Sequence, residues 1–140
     1  MTELEGVKMT RSSEEKLAFR KGLEDRTANF AVAVFQCLDS LPSKVSSRVI
    51  AFQLGKSASS VGANYREANR AESEDDFIHK IGIVLKECSE SLYWIGLLLK
   101  LYPADKHFPK LSAECEELLR LFQSIRTKLH QRRKQCTPIR

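Results

Sequence analysis

The sequence predicts an all-α protein, a four-helix bundle. Three observations predict it. Apolar residues recur in steps of three and four through four segments, the period of a helix face rather than of a strand. Glycine and proline are sparse, 6 and 4 of 140 residues, which favours long helices over a turn-rich β fold. Pro42, Pro103 and Pro138 fall at segment ends, because proline cannot continue the helical hydrogen-bond ladder. A chain of this length makes one domain with a single core.

Residues 1–11 are polar and read as a disordered lead, residues 12–132 as the bundle, and residues 133–140 as a basic tail. Ser12 and Glu15 form a capping box that starts the first helix. Its apolar stripe is Leu23, Phe30, Val34, Cys37 and Leu41, with Phe35 and Leu38 alongside. Pro42 ends it, and Ser43 is placed to cap the second helix, which runs to about Arg70. That helix carries two stripes, one through Ile50, Leu54, Ser57, Val61, Asn64 and Ala68, the other through Val45, Val49, Phe52, Ser59 and Ala63. Two stripes predict contacts on two sides.

Ser73 and Asp76 form the next capping pair, and Glu74, Asp75 and Asp76 suit the positive start of a third helix. Its stripes are Phe77, Ile81, Val84, Cys88, Ile95 and Leu98, and Ile78, Leu85, Leu92 and Leu99 with small residues between. Pro103 stops it. Pro109 suits the first turn of the fourth helix, which shows Leu111, Cys115, Leu118, Phe122, Ile125 and Leu129.

Small residues recur at sevens. Gly55 and Gly62 share a face of the second helix, and Gly82, Ser89 and Gly96 share a face of the third. A glycine inside a helix costs about 1 kcal/mol relative to alanine. Close approach of a neighbouring backbone would offset that cost, so these five residues are expected to face one another across the second and third helices. The end of the third helix, Leu92 to Leu99, is apolar almost all round. A helix apolar on every face is buried on every face, which predicts self-association through Tyr93, Trp94 and Leu97. Cover by a loop or tail of the same chain is the alternative.

The net charge of +5 is unevenly placed. Residues 118–140 hold seven basic residues and no acid. One turn of cations complements a helix C-terminus; a block this long suits a polyanion. Arg126, Lys128, Arg132, Arg133 and Lys134 are the candidate phosphate contacts, which give affinity without reading bases. Aromatic residues are scarce in the tail, so base stacking is not indicated there.

The chemistry of an enzyme is not visible. No nucleophile elbow, Walker loop or HExxH motif occurs. Asp76 and His79 have carboxylate-x-x-His spacing, but no second copy exists to complete a bundle metal site, so no metal and no cofactor are expected. The four cysteines, Cys37, Cys88, Cys115 and Cys136, are far apart and suggest neither zinc nor disulfides. Reduced thiols, a start without an apolar signal core and no run of about 20 apolar residues lead to the expectation of a cytoplasmic protein without a membrane.

The run Ser60-Val61-Gly62-Ala63-Asn64-Tyr65-Arg66-Glu67-Ala68, then Ser73 with Asp76-Phe77, then Lys86-Glu87-Cys88-Ser89-Glu90 and Tyr93-Trp94 resembles the four-helix bundle proteins named after the intervening sequences of 23S ribosomal RNA genes. The resemblance covers about Leu17 to Leu129. Its commoner form reads Asn-Ile-Ala-Glu-Gly, whereas this chain has Ala68 in place of the glycine. The resemblance implies an antiparallel up-down-up-down four-helix bundle assembled into a ring, usually of five subunits. It also implies similarity to an accessory protein of diversity-generating retroelements, a basic pentamer that binds nucleic acid and a reverse transcriptase. Asn64 and Glu67 match the motif. With Glu90 they read either as a polar site between helices or, preferably, as a buried hydrogen-bond network that fixes register.

The functional expectation is a non-enzymatic homo-oligomer, a pentamer by resemblance, that binds RNA or DNA with low sequence specificity through its basic C-terminal region, with a protein partner such as a reverse transcriptase. The alternative is a protein–protein scaffold whose only intrinsic activity is ring assembly.

Overall fold

The computed structural model describes residues 2–136, with side chains from Ser13 onward. Four helices follow one another: α1 Thr2–Asp39, α2 Val45–Asn69, α3 Glu74–Leu101 and α4 Phe108–Cys136. α1 packs on α2 and α4, α3 packs on α2 and α4, and the diagonal pairs stay apart. Cross-helix pairs fix the directions. Thr27 and Phe35 of α1 meet Gly62 and Gly55 of α2, and Glu67 and Ser57 of α2 meet Lys80 and Ser91 of α3. Cys88 and Asp75 of α3 meet Cys115 and Arg133 of α4. In each seam one number rises as the other falls, so every neighbour is antiparallel.

The helix ends follow local chemistry. Ser73 caps α3, its side chain accepting from the Asp76 amide at 3.0 Å, as its spacing predicts. Asp105 Oδ1 accepts from the His107 and Phe108 amides at 2.7 and 3.2 Å and opens α4. Ser43 does not cap α2. Lys44 holds the N-cap position in extended backbone without a side-chain bond, and the turn closes instead through the Lys44 amide on the Pro42 carbonyl at 2.9 Å.

Both ends of the bundle are more helical than the sequence pattern suggests. α1 begins at Thr2 rather than Ser12. The lead contains Leu4, Glu5, Lys8 and Met9, all good helix formers, and extending a helix already nucleated costs little. α4 likewise runs to Cys136, which places Arg133 and Lys134 on the helix rather than in a tail. Pro138 lies outside the described residues.

The core runs the length of the bundle. Leu54, Val61, Ile81, Ile95, Leu118 and Phe122 are fully enclosed, each contributing about 1.5–3 kcal/mol by leaving water. Tyr65 and Phe122 meet edge to face at 5.2 Å. Between α2 and α3 two buried serines touch: Ser91 Oγ donates to Ser57 Oγ at 2.9 Å. Ser57 in turn donates to the Leu54 carbonyl at 3.3 Å, so neither hydroxyl is left unpaired in the dry seam.

The glycines do not face one another across α2 and α3. A Cβ on Gly55 would meet the Phe35 ring at 3.0 Å, and one on Gly62 would meet Thr27 Oγ1 at 3.0 Å, both on α1. A Cβ on Gly82 or Gly96 would meet nothing within 4 Å, and Ser89 is exposed. Spacing of seven puts residues on one face of a helix without saying which neighbour that face meets. No described glycine has a positive φ, so Gly55 and Gly62 are there for room and not for turn geometry.

Candidate nucleic-acid interface and assembly surfaces

The basic residues of α4 divide into two groups. Arg126, Lys128 and Lys134 are exposed and make no ion pair among the described residues. Arg132 lies 3.8 Å from Glu74, and Arg133 pairs with Asp75. The acids that open α3 thus face the cations that close α4, an arrangement that antiparallel neighbours make natural. These pairs are largely exposed, and pairs of that kind contribute about 0–1 kcal/mol each.

Asn64, Glu67 and Glu90 do not come together. Asn64 Nδ2 donates back to the Ser60 carbonyl at 2.8 Å. Glu67 pairs with Lys80 of α3 at 3.0 Å, and Glu90 accepts from Trp94 Nε1 at 3.4 Å. Each is satisfied locally or at the rim, so no common network forms. The place of Asn64 on an apolar stripe does not commit it to a cross-helix partner, because an amide can fold back one turn onto its own helix. A different polar link, one that no spacing announces, joins α1 to α4. Arg26 Nε donates to Glu114 at 2.7 Å, and its second arm reaches Glu117 at 3.1 Å; the Glu114 bond holds the guanidinium pKa above its ordinary value.

Two outward faces remain apolar. On α2, Val45, Val49 and Phe52 of the second predicted stripe are exposed, Phe52 at 68%, and Val32 and Phe35 of α1 are exposed as well. On α3, Tyr93 is 59% exposed and Leu101 is also open. Trp94 and Leu97 are half-buried against the subunit's own core, so the chain covers part of the segment that the sequence pattern leaves bare. That pattern points to Tyr93, Trp94 and Leu97 as the interface and does not single out Phe52.

Two clefts border α1 and α4, the first walled by all four helices and the second by α1 and α4 alone. One, about 630 Å³, has Tyr65, Phe77 and Ile125 in its wall and Lys16, Arg20 and Arg132 about it. The second, about 400 Å³, is bordered by Arg120, Leu121 and Lys128. Phe19 lines both.

The buried thiols of the core are held in their protonated form. Burial pushes the Cys88 thiol up to about 12, and it raises Cys115 as well; Cys115 Sγ donates to the Cys88 carbonyl at 3.3 Å. Such thiols stay protonated and inert. Among the described residues no group of three or more His, Cys, Asp or Glu could hold a metal ion, and no helix is long and apolar enough to cross a membrane.

Residues 24–124 match the family described as 23S rRNA-intervening sequence protein. Among solved structures, the chain is similar to a protein of unknown function from the S23 ribosomal protein family of Bacteroides thetaiotaomicron. The two are 31% identical with a TM-score of 0.70, over 77% of this chain and 97% of that one. No curated protein matches it.

Proposed function

This chain belongs to the 23S rRNA-intervening sequence protein family, and from that premise we propose that it is a non-enzymatic, self-assembling bundle that binds nucleic acid with low sequence specificity through α4. The observation that carries the proposal is the charge of that helix. It holds no acid after Glu117, while Arg126, Lys128 and Lys134 stand exposed without an ion pair among the described residues. Cations of this kind bind phosphates through counterion release and read no sequence.

Assembly is supported by the two apolar faces. Val45, Val49 and Phe52 project from α2, while α3 offers Tyr93 and Leu101 together with an outward row of small residues at Gly82, Ser89 and Gly96. Two different faces on one subunit suit a head-to-tail contact, and such contacts close into rings when the rotation permits. A ring, five-fold by resemblance, would multiply the weak phosphate contacts of each subunit by avidity. The same resemblance extends the proposal to a protein partner such as a reverse transcriptase.

The test is a titration of the purified protein with generic RNA at several salt concentrations. Affinity should fall steeply with salt, and replacing Arg126, Lys128 and Lys134 with Gln should flatten the slope by about one for each phosphate no longer neutralised. Salt-insensitive or absent binding would favour the second reading, a scaffold whose only intrinsic activity is ring assembly. That reading draws on the engagement of Arg132 and Arg133 with Glu74 and Asp75.

A further inference from the structure

Phe19 stands 53% exposed on α1, outside the core, at the junction of the two clefts that border α1 and α4. Cations flank it on both sides: Lys16 and Arg20 on one, Arg120 and Lys128 on the other. None of these four makes an ion pair among the described residues. The acids nearby are largely engaged. Glu74 faces Arg132 and Glu117 faces Arg26, which leaves Glu15 as the unpaired carboxylate lining the clefts among the described residues. An exposed ring between unpaired cations fits neither a core contact nor an ordinary solvated face.

A groove of positive charge interrupted by an aromatic ring is the chemistry that holds single-stranded nucleic acid. The cations track the phosphates, and the ring stacks on a base. A duplex hides its base faces within its own stack and gives the ring nothing to cover. We propose that the α1–α4 face binds single-stranded nucleic acid, with Phe19 as the stacking platform and Lys16, Arg20, Arg120 and Lys128 holding phosphates on either side. The inference rests on the nucleic-acid reading above and deepens it by naming the form of the ligand and the face that takes it. Ring and cations touch nothing that distinguishes ribose from deoxyribose, so RNA and DNA single strands bind alike.

The experiment measures fluorescence anisotropy of labelled oligouridine, oligothymidine and a duplex of equal length with the full-length protein and its Phe19→Ala, Phe19→Leu and Phe19→Trp variants. Both single strands should bind more tightly than the duplex. Phe19→Ala and Phe19→Leu should weaken single-strand binding about tenfold and leave duplex binding unchanged, while Phe19→Trp restores it. The leucine variant keeps apolar volume without a ring, so it separates stacking from packing. Salt-sensitive binding that is indifferent to Phe19, that falls equally on the duplex, or that favours the duplex would overturn the stacking site and leave the basic-surface reading standing. Absence of wild-type binding to every probe would overturn both.

Discussion

Thr27 of α1 occupies the place where Gly62 of α2 lacks a side chain. Its hydroxyl lies 3.0 Å, and its Cβ 3.3 Å, from the position a Cβ on Gly62 would take. Thr27 is fully buried and donates to the Glu24 carbonyl at 2.9 Å, so it has little freedom to retreat. Gly62→Leu should therefore destabilise the fold by about 1–3 kcal/mol through overpacking, read as a lowered urea midpoint. Gly96→Leu should leave the urea midpoint of the subunit near wild type, since that glycine faces open space. If the outer row of α3 receives a second copy, Gly96→Leu should also lower the assembled mass. An unchanged midpoint for Gly62→Leu would contradict the tight α1–α2 seam.

Phe52 tests the α2 face directly. It is mostly exposed in the subunit, so Phe52→Glu should preserve helicity by circular dichroism while light scattering reports a smaller particle than wild type. A wild-type mass after this charge insertion would remove α2 from the assembly surface.

The thiols should react in a fixed order. Cys136 is exposed and Cys37 half-buried. Burial, with the Asp105 charge second, raises the Cys37 pKa. Cys88, up at about 12, and Cys115 are buried. An aromatic disulfide reagent should titrate Cys136 first and Cys37 more slowly, and reach Cys88 and Cys115 only when denaturant is added. Four equivalent thiols in the native protein would contradict this core.

Glu87 predicts a pH dependence. Burial raises its carboxyl pKa, and the Glu90 charge adds to the shift, against the opposing charges of Lys86 and Lys56. The folded chain thus holds this proton more tightly than the unfolded chain does. The stability so gained is complete below the unfolded carboxylate pKa and is lost as pH rises through the raised folded value. Glu87→Gln should raise the melting temperature near neutral pH, and the gain should vanish below about pH 4. A gain that persists in acid would point to packing rather than charge.

The bundle is legible in the sequence because its signals are local. Pro42 and Pro103 bound helices wherever they occur, and Ser73 caps through an amide three residues away. The seams are less legible because they depend on rotation. Gly62 can be placed on a helix face from its spacing with Gly55, but its partner Thr27, which fills the step between Leu23 and Phe30 in the α1 stripe, is polar and so does not count as an apolar position. The expected network of Asn64, Glu67 and Glu90 fails for a related reason, each side chain finding a partner nearer than the others. Phe19 carries no mark in the sequence because the cations that give it meaning, Arg120 and Lys128, lie about a hundred residues further along. Only the closure of α4 onto α1 makes them neighbours.

If α4 binds nucleic acid as proposed, the ion pairs between the beginning of α3 and the close of α4 compete with that binding. Glu74 and Asp75 already neutralise Arg132 and Arg133, so an arriving phosphate meets these arginines as a rival to resident carboxylates. Each arginine so won would give up a contact with α3 worth about 0–1 kcal/mol, a cost that Arg126, Lys128 and Lys134, without ion pairs among the described residues, do not carry.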